Sequence, residues 1–167
     1  QLMSLKHEVI GIDLNKKYVE SISDELTHAV IADATDEHVL DELNVQNCEA
    51  VVVAIGEDIE ASILCVLHLK NMGVKKIWAK AKSKAHHMIL THLNVEKIIH
   101  PEEDMGVRVA QALNYPMVSR YMSLDDEHYI VKIDIPEKLN GINLYGIMQQ
   151  APQVKTLLVK RQQQILF

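Results

Sequence analysis

The chain has 167 residues, 48% hydrophobic and 24% charged, which supports one packed core with a small appendage and excludes two full catalytic domains or a disordered chain. Its longest apolar runs, Ala50 to Ile55 and Ile63 to Leu67, fall well short of the roughly 18 residues of a membrane-spanning helix. With 17 Lys and Arg against 23 Asp and Glu the net charge is −6, and with no concentrated basic patch that sign argues against a nucleic-acid partner.

Cys48 and Cys65 are isolated, without CxxC spacing or a signal peptide, the pattern of reduced thiols in a cytoplasmic protein. Cys65, inside Ile63-Leu64-Cys65-Val66-Leu67, reads as a core residue. A start at Gln1, with no methionine, reads as a fragment of a longer chain.

In chain order, five short apolar runs predict strands: Glu8 to Asp13, Ala29 to Ala34, Ala50 to Gly56, Lys76 to Ala81 and Lys97 to His100. Each is followed by apolar residues at helical spacing, over Asn15 to Leu26, Asp36 to Leu43, Asp58 to Met72, Lys84 to Leu93 and Asp104 to Leu113. Asp36 and Asp58 stand where helix caps or first-turn acids belong. Strands alternating this regularly with helices are parallel, which predicts an α/β fold with a Rossmann-like doubly wound sheet. Val51-Val52-Val53-Ala54-Ile55 lacks alternation, as expected of a strand covered on both faces.

After Leu113 the pattern changes. Asn114-Tyr115-Pro116 breaks the helix, a further helical stretch is expected to about Met122, and Ser123 to Glu127 reads as a polar linker. His128 to Ile135 alternates like a half-buried strand, and Val154 to Val159 reads as another. The expected organisation is a main domain over 1–122 and an incomplete α+β subdomain over 123–167.

In an open parallel sheet the ligand crevice lies at the carboxyl ends of the strands. An acid at such an end, about 20 residues beyond a glycine-rich phosphate loop, accepts hydrogen bonds from the ribose of an adenosine. Asp13 suits that role, or else serves only to start the next helix; the glycine loop itself would lie upstream of Gln1, with Gln1 to Lys6 as the tail of the helix it opens. Asp33-Ala34-Thr35 and Ala54-Ile55-Gly56-Glu57 offer small residues for close approach of a base or phosphate, Gly56 with access to positive φ, or are ordinary strand-to-helix turns. Lys80 is a candidate for phosphate contact, or a solvated lysine. Glu102, after Pro101, can reach a divalent ion such as Mg²⁺ or Ca²⁺ held by phosphates, or is a first-turn helix acid.

The nine histidines include His86, His87 and His92 in one helix, but no HExxH or paired His and Cys set accompanies them, so exposed or capping roles are expected. There is no nucleophile elbow, and no pair of carboxylates is placed for acid and base work. An enzyme is not expected.

The runs His7-Glu8-Val9-Ile10-Gly11-Ile12-Asp13, Ala32-Asp33-Ala34-Thr35-Asp36, Val53-Ala54-Ile55-Gly56, Ile77-Trp78-Ala79-Lys80-Ala81 and Ile99-His100-Pro101-Glu102-Glu103-Asp104-Met105-Gly106 resemble the RCK (regulator of conductance of K⁺) family, over about Leu2 to Leu113. The resemblance implies a cytoplasmic regulatory subunit, built from homodimers assembled into a ring such as an octamer. It would dock on a potassium-translocating membrane subunit of the KtrB type at the inner face of the membrane and gate it by binding ATP or ADP. It places Asp13 and Asn15 at the ribose, Asp33, Ala34, Thr35, Ile55 and Gly56 around the base and ribose, Lys80 near phosphate, and Glu102 on a divalent cation. His128 to Asn143 and Tyr145-Gly146-Ile147 resemble the family's C-terminal subdomain, although Leu144 runs directly into Tyr145. Some members bind cyclic di-AMP there, with Pro152 the candidate residue. Two alternatives stay open: an NAD(H)-binding regulator or NAD-dependent oxidoreductase fragment, since Asp13 would serve an NAD ribose equally, and a bare dimerisation module.

Overall fold

A computed structural model of the chain describes residues 1–125, 128–139, 141–149, 153–161 and 164–166. It divides into two compact units, Gln1–Met105 and Gly106–Phe167.

In the first unit, strands β1 (Ile10–Asp13), β2 (His28–Ile31), β3 (Val51–Val53), β4 (Ile77–Lys80) and β5 (Lys97–Ile99) alternate with helices α1 (Lys16–Ile22), α2 (Glu37–Glu42), α3 (Ile59–Asn71) and α4 (Lys84–His92). All the pairings are parallel, β1 with β2 and β3 with β4 with β5. Helices α1 to α4 start the same way. Asn15, Asp36, Asp58 and Ser83 sit in extended conformation just before α1 to α4, and their side-chain oxygens accept hydrogen bonds from Lys17, His38, Ala61 and His86 backbone N–H groups. Such caps satisfy donors that the first turn leaves open. At the other end of α3, Gly73 adopts φ +78° and its N–H donates to Lys70 O at 3.0 Å, a left-handed stop that costs glycine little.

The core lies on one face of β3–β4–β5. Val53, Ile77 and Ala79 pack there with Cys65, Val66 and Leu69 of α3 and Leu90 of α4, and Ile12 and Ala34 join from the β1–β2 side. The opposite face carries the cross-strand row Val52, Trp78 and Lys97. Val52 is exposed there, and the Lys97 ammonium lies 4.4 Å from the Trp78 ring centroid. Burial therefore alternates along β3 and β4, contrary to the expectation of cover on both faces: a continuous apolar run does not itself decide which faces helices occupy.

His86 is another correction. It is 1% exposed, not a surface or capping side chain. Its Nδ1 accepts the Lys82 N–H at 3.3 Å, while Nε2 has no partner among the described residues. That pattern assigns the proton to Nε2, and burial holds the ring neutral by pulling its pKa below the ordinary 6.5. The unfolded chain then takes up this proton at higher pH than the folded one, so the linked stability is complete above about pH 6.5 and is lost as pH falls below it. In denaturant titrations between pH 7.5 and about 5, His86→Gln should lose less stability than wild type; an identical slope would remove His86 as the cause.

Further along, the helix expected from Asp104 starts earlier, as α5 (Pro101–Asn114), bringing Glu102 and Glu103 into its first turn. In the second unit, the helix expected to reach Met122 is instead strand β6 (Val118–Ser123), antiparallel to β7 (Tyr129–Ile133). Val118, Tyr121 and Met122 fit a pleated ribbon, and antiparallel pairing with β7 satisfies the backbone groups of the segment. Leu124 and Asp125 belong to the hairpin turn, where Asp125 Oδ1 accepts the His128 N–H at 2.7 Å. A short helix α6 (Leu144–Met148) follows. The strand expected at Val154 to Val159 is shifted to β8 (Val159–Arg161), paired antiparallel with β9 (Gln164–Leu166). At the start of the chain, Gln1 to Lys6, where a helix tail is expected, holds one 3₁₀ turn over Met3–Leu5 that ends on Lys6 in left-handed conformation. Pro152 lies outside the described residues.

Candidate functional site

The capped helix starts and the carboxyl ends of the strands share one edge, and the candidate residues fall into two groups along it. At the β1 and β2 ends are two acidic turns. Asp13 Oδ1 accepts the Asn15 N–H at 2.7 Å and Asn15 Oδ1 accepts the Lys17 N–H at 3.0 Å. The Asn15 oxygen is thus committed to its helix, whereas Asp13 keeps a second carboxylate oxygen with no protein partner among the described residues. Beyond β2, Asp33 Oδ1 accepts the Thr35 hydroxyl at 2.7 Å and the Thr35 N–H at 2.8 Å. Those bonds, the hydroxyl first, hold the Asp33 carboxyl below its usual range. Ala34, between them, packs on the core. Asp33 also acts on Cys65: burial, and secondarily this charge, raises the thiol to about 11, which leaves it inert at neutral pH.

The second group lies at the ends of β3, β4 and β5. Ala54, Ile55 and Gly56 come after β3, which ends earlier than the sequence suggested. Gly56 is not at positive φ, so its expected conformational role is withdrawn. It leaves space instead: a Cβ there would stand 3.1 Å from Lys80 Nζ. Lys80, its side chain 23% exposed, donates to Glu102 Oε1 at 2.5 Å, and Glu102 is 72% exposed. The Lys80 bond is the main reason that the Glu102 carboxyl is held below its ordinary value, with the charge of His100 a lesser one. Glu57 pairs with Lys82, whose Nζ donates to its carbonyl at 3.0 Å and its carboxylate at 3.2 Å.

No hydrogen bond or ion pair among the described residues joins the Asp13 and Asp33 group to the Lys80 and Glu102 group. Nor do the described residues contain a set of three His, Cys, Asp or Glu that could hold a metal ion. Glu102 is a single ionised carboxylate, suited to a cation that takes its remaining oxygens from phosphates and water.

Sequence reasoning missed Lys82 and the pair His87 and His100. The two rings stack with centroids 5.0 Å apart, and His87 Nδ1 lies 2.9 Å from His100 Nε2. His100 lines a cavity of about 230 Å³ with Lys82, Ser83, Lys84, Glu102 and Glu103. His100 was legible as a strand-end residue, but nothing in the helical spacing marked His87 as its partner.

Parallel strands, capped helices and polar strand ends define the class, a Rossmann-like α/β domain. The family model of the TrkA-N domain matches residues 1–101. The chain is 40% identical over 158 residues to Ktr system potassium uptake protein A of Bacillus subtilis, covering 95% of this chain and 71% of that protein. It is 36% identical over 160 residues to Ktr system potassium uptake protein C of the same organism, covering 95% and 72%. Among solved structures, the NAD(P)-binding domain of an exopolyphosphatase-related protein from Archaeoglobus fulgidus is similar in fold, with TM-score 0.58 and 20% identity over 68% of this chain and 84% of that one. The chain belongs to the TrkA-N family and, within it, to the family of Ktr system potassium uptake protein A.

Proposed function

We propose that the chain is a regulatory subunit of a potassium uptake system. It binds ATP or ADP at the strand ends and transmits the difference between them to a potassium-translocating membrane subunit of the KtrB type. The observation that carries the nucleotide reading is Asp13, a carboxylate fixed at the end of β1 with one oxygen left to accept ribose hydroxyls. The identity with Ktr proteins A and C supports the potassium role.

In this reading Asn15 orders the turn behind Asp13. Asp33, Ala34 and Thr35 with Ala54, Ile55, Gly56 and Glu57 border the base and ribose, and Lys80 meets phosphate. Glu102 holds a Mg²⁺ or Ca²⁺ ion, whose chemistry is charge neutralisation at the phosphates. Homodimers of the chain form a ring, an octamer in the fullest version, on the cytoplasmic face of the membrane. The part over 1–122 is the sensor, and the part over 123–167 is a C-terminal subdomain that takes cyclic di-AMP. A nucleotide biases such a gate only by the difference in its affinity for the two shapes. No reaction is assigned.

NAD(H) is the second reading, favoured by the likeness to an NAD(P)-binding domain and by the equal fit of Asp13 to an NAD ribose. Competitive titration of ATP and NADH separates the two. We expect ATP to displace NADH and to raise the unfolding temperature of the chain; preferential NADH binding would replace the first reading with the second.

A further inference from the structure

Lys80 and Glu102 have been given different tasks, yet they are bonded to each other. The Lys80 stem crosses the space that Gly56 leaves open, with Cε 3.5 Å and Cδ 3.7 Å from where a Cβ would be. Its ammonium has three donors and is largely enclosed, so it can turn one toward a phosphate without leaving Glu102. The phosphate would then share the ammonium with the Glu102 carboxylate that it already bonds. Two anions facing one cation repel each other, and the attraction of Lys80 for the phosphate is partly cancelled.

We propose that the Lys80–Glu102 pair is a charge latch: Glu102 suppresses the hold of Lys80 on phosphate until a divalent cation engages the carboxylate. The inference rests on the nucleotide reading above and adds a regulation to it. The crevice discriminates against cation-free polyphosphate because the acid that binds the cation is also the one that neutralises the lysine. Glu102→Gln keeps the size and an acceptor while removing the charge, and at a mostly exposed position it leaves the fold intact.

The test is calorimetric titration of ATP, and separately of inorganic tripolyphosphate, into the wild-type chain, Glu102→Gln, Lys80→Met and the double variant, in EDTA and again with magnesium. In EDTA, Glu102→Gln should bind either probe about twofold to fivefold more tightly than wild type, the scale of a partly exposed ion pair. It should also gain less from magnesium, and in the Lys80→Met background the same change should gain less in EDTA. A purely structural role for Glu102 would weaken binding in both conditions. Equal or weaker binding by Glu102→Gln in EDTA, or an undiminished gain without Lys80, overturns the latch. If wild type binds ATP and Glu102→Gln shows no gain, the latch fails and the nucleotide reading stands. If wild type binds neither ATP nor NADH but Glu102→Gln gains on tripolyphosphate, the nucleotide reading fails and the latch stands. Binding of neither probe by any variant overturns both.

Discussion

Replacing Ile77 by alanine should lower the stability of the chain by about 2–5 kcal/mol, seen as a fall in the denaturant midpoint with little change in slope. Ile77 is 0% exposed in the central strand of the three-stranded sheet. Truncation removes its transfer energy and leaves a cavity lined by groups held by two neighbouring strands and by α3 and α4. β4 is hydrogen-bonded on both edges, so it cannot shift to fill the space. Domains of this size are stable by only about 5–15 kcal/mol, so the loss is a large share of the total and should lower the melting point by roughly 10 °C. A cost below about 1 kcal/mol would mean that the core around Ile77 collapses freely.

Asp13→Ala should weaken ATP binding about tenfold to a hundredfold, the range for a charged hydrogen-bond acceptor. The same carboxylate also holds the Asn15 N–H, so a general loosening of the turn has to be separated from the loss of a ligand contact. Asp13→Asn does this. It keeps one acceptor for the turn but loses the charge, and should keep wild-type stability while binding ATP at an intermediate strength. If both variants bind as wild type does, Asp13 serves only the turn and is not a nucleotide contact.

The parallel alternation was legible in the residues because the strands are short apolar runs, the first four followed by a capping residue, and these four caps lie at or next to positions the pattern marked. The Val118 to Ser123 strand was not. Its residues suit either state, and only its partner β7, at the far side of a polar turn, decides between them. The site was legible one residue at a time. Strand ends mark Asp13, Lys80 and Glu102 as candidates, but a linear pattern carries no information about which of them touch, and so the Lys80–Glu102 bond went unread. For Gly56 the sequence offers both small size and access to positive φ, and the backbone retains only the first, since Lys80 approaches closely while φ is not positive. Nothing in the sequence marks His86 for burial, because the group that meets its ring is a backbone N–H, that of Lys82, which a pattern of side chains does not show.

The chain's single tryptophan stands two residues before Lys80 on β4, half-buried on the outer face of the sheet beneath the Lys97 ammonium. Indole emission is sensitive to a nearby cation and to water. The strand that presents Lys80 to the crevice therefore carries an optical reporter two residues away, and displacement of β4 against β5 can be followed without attaching a dye.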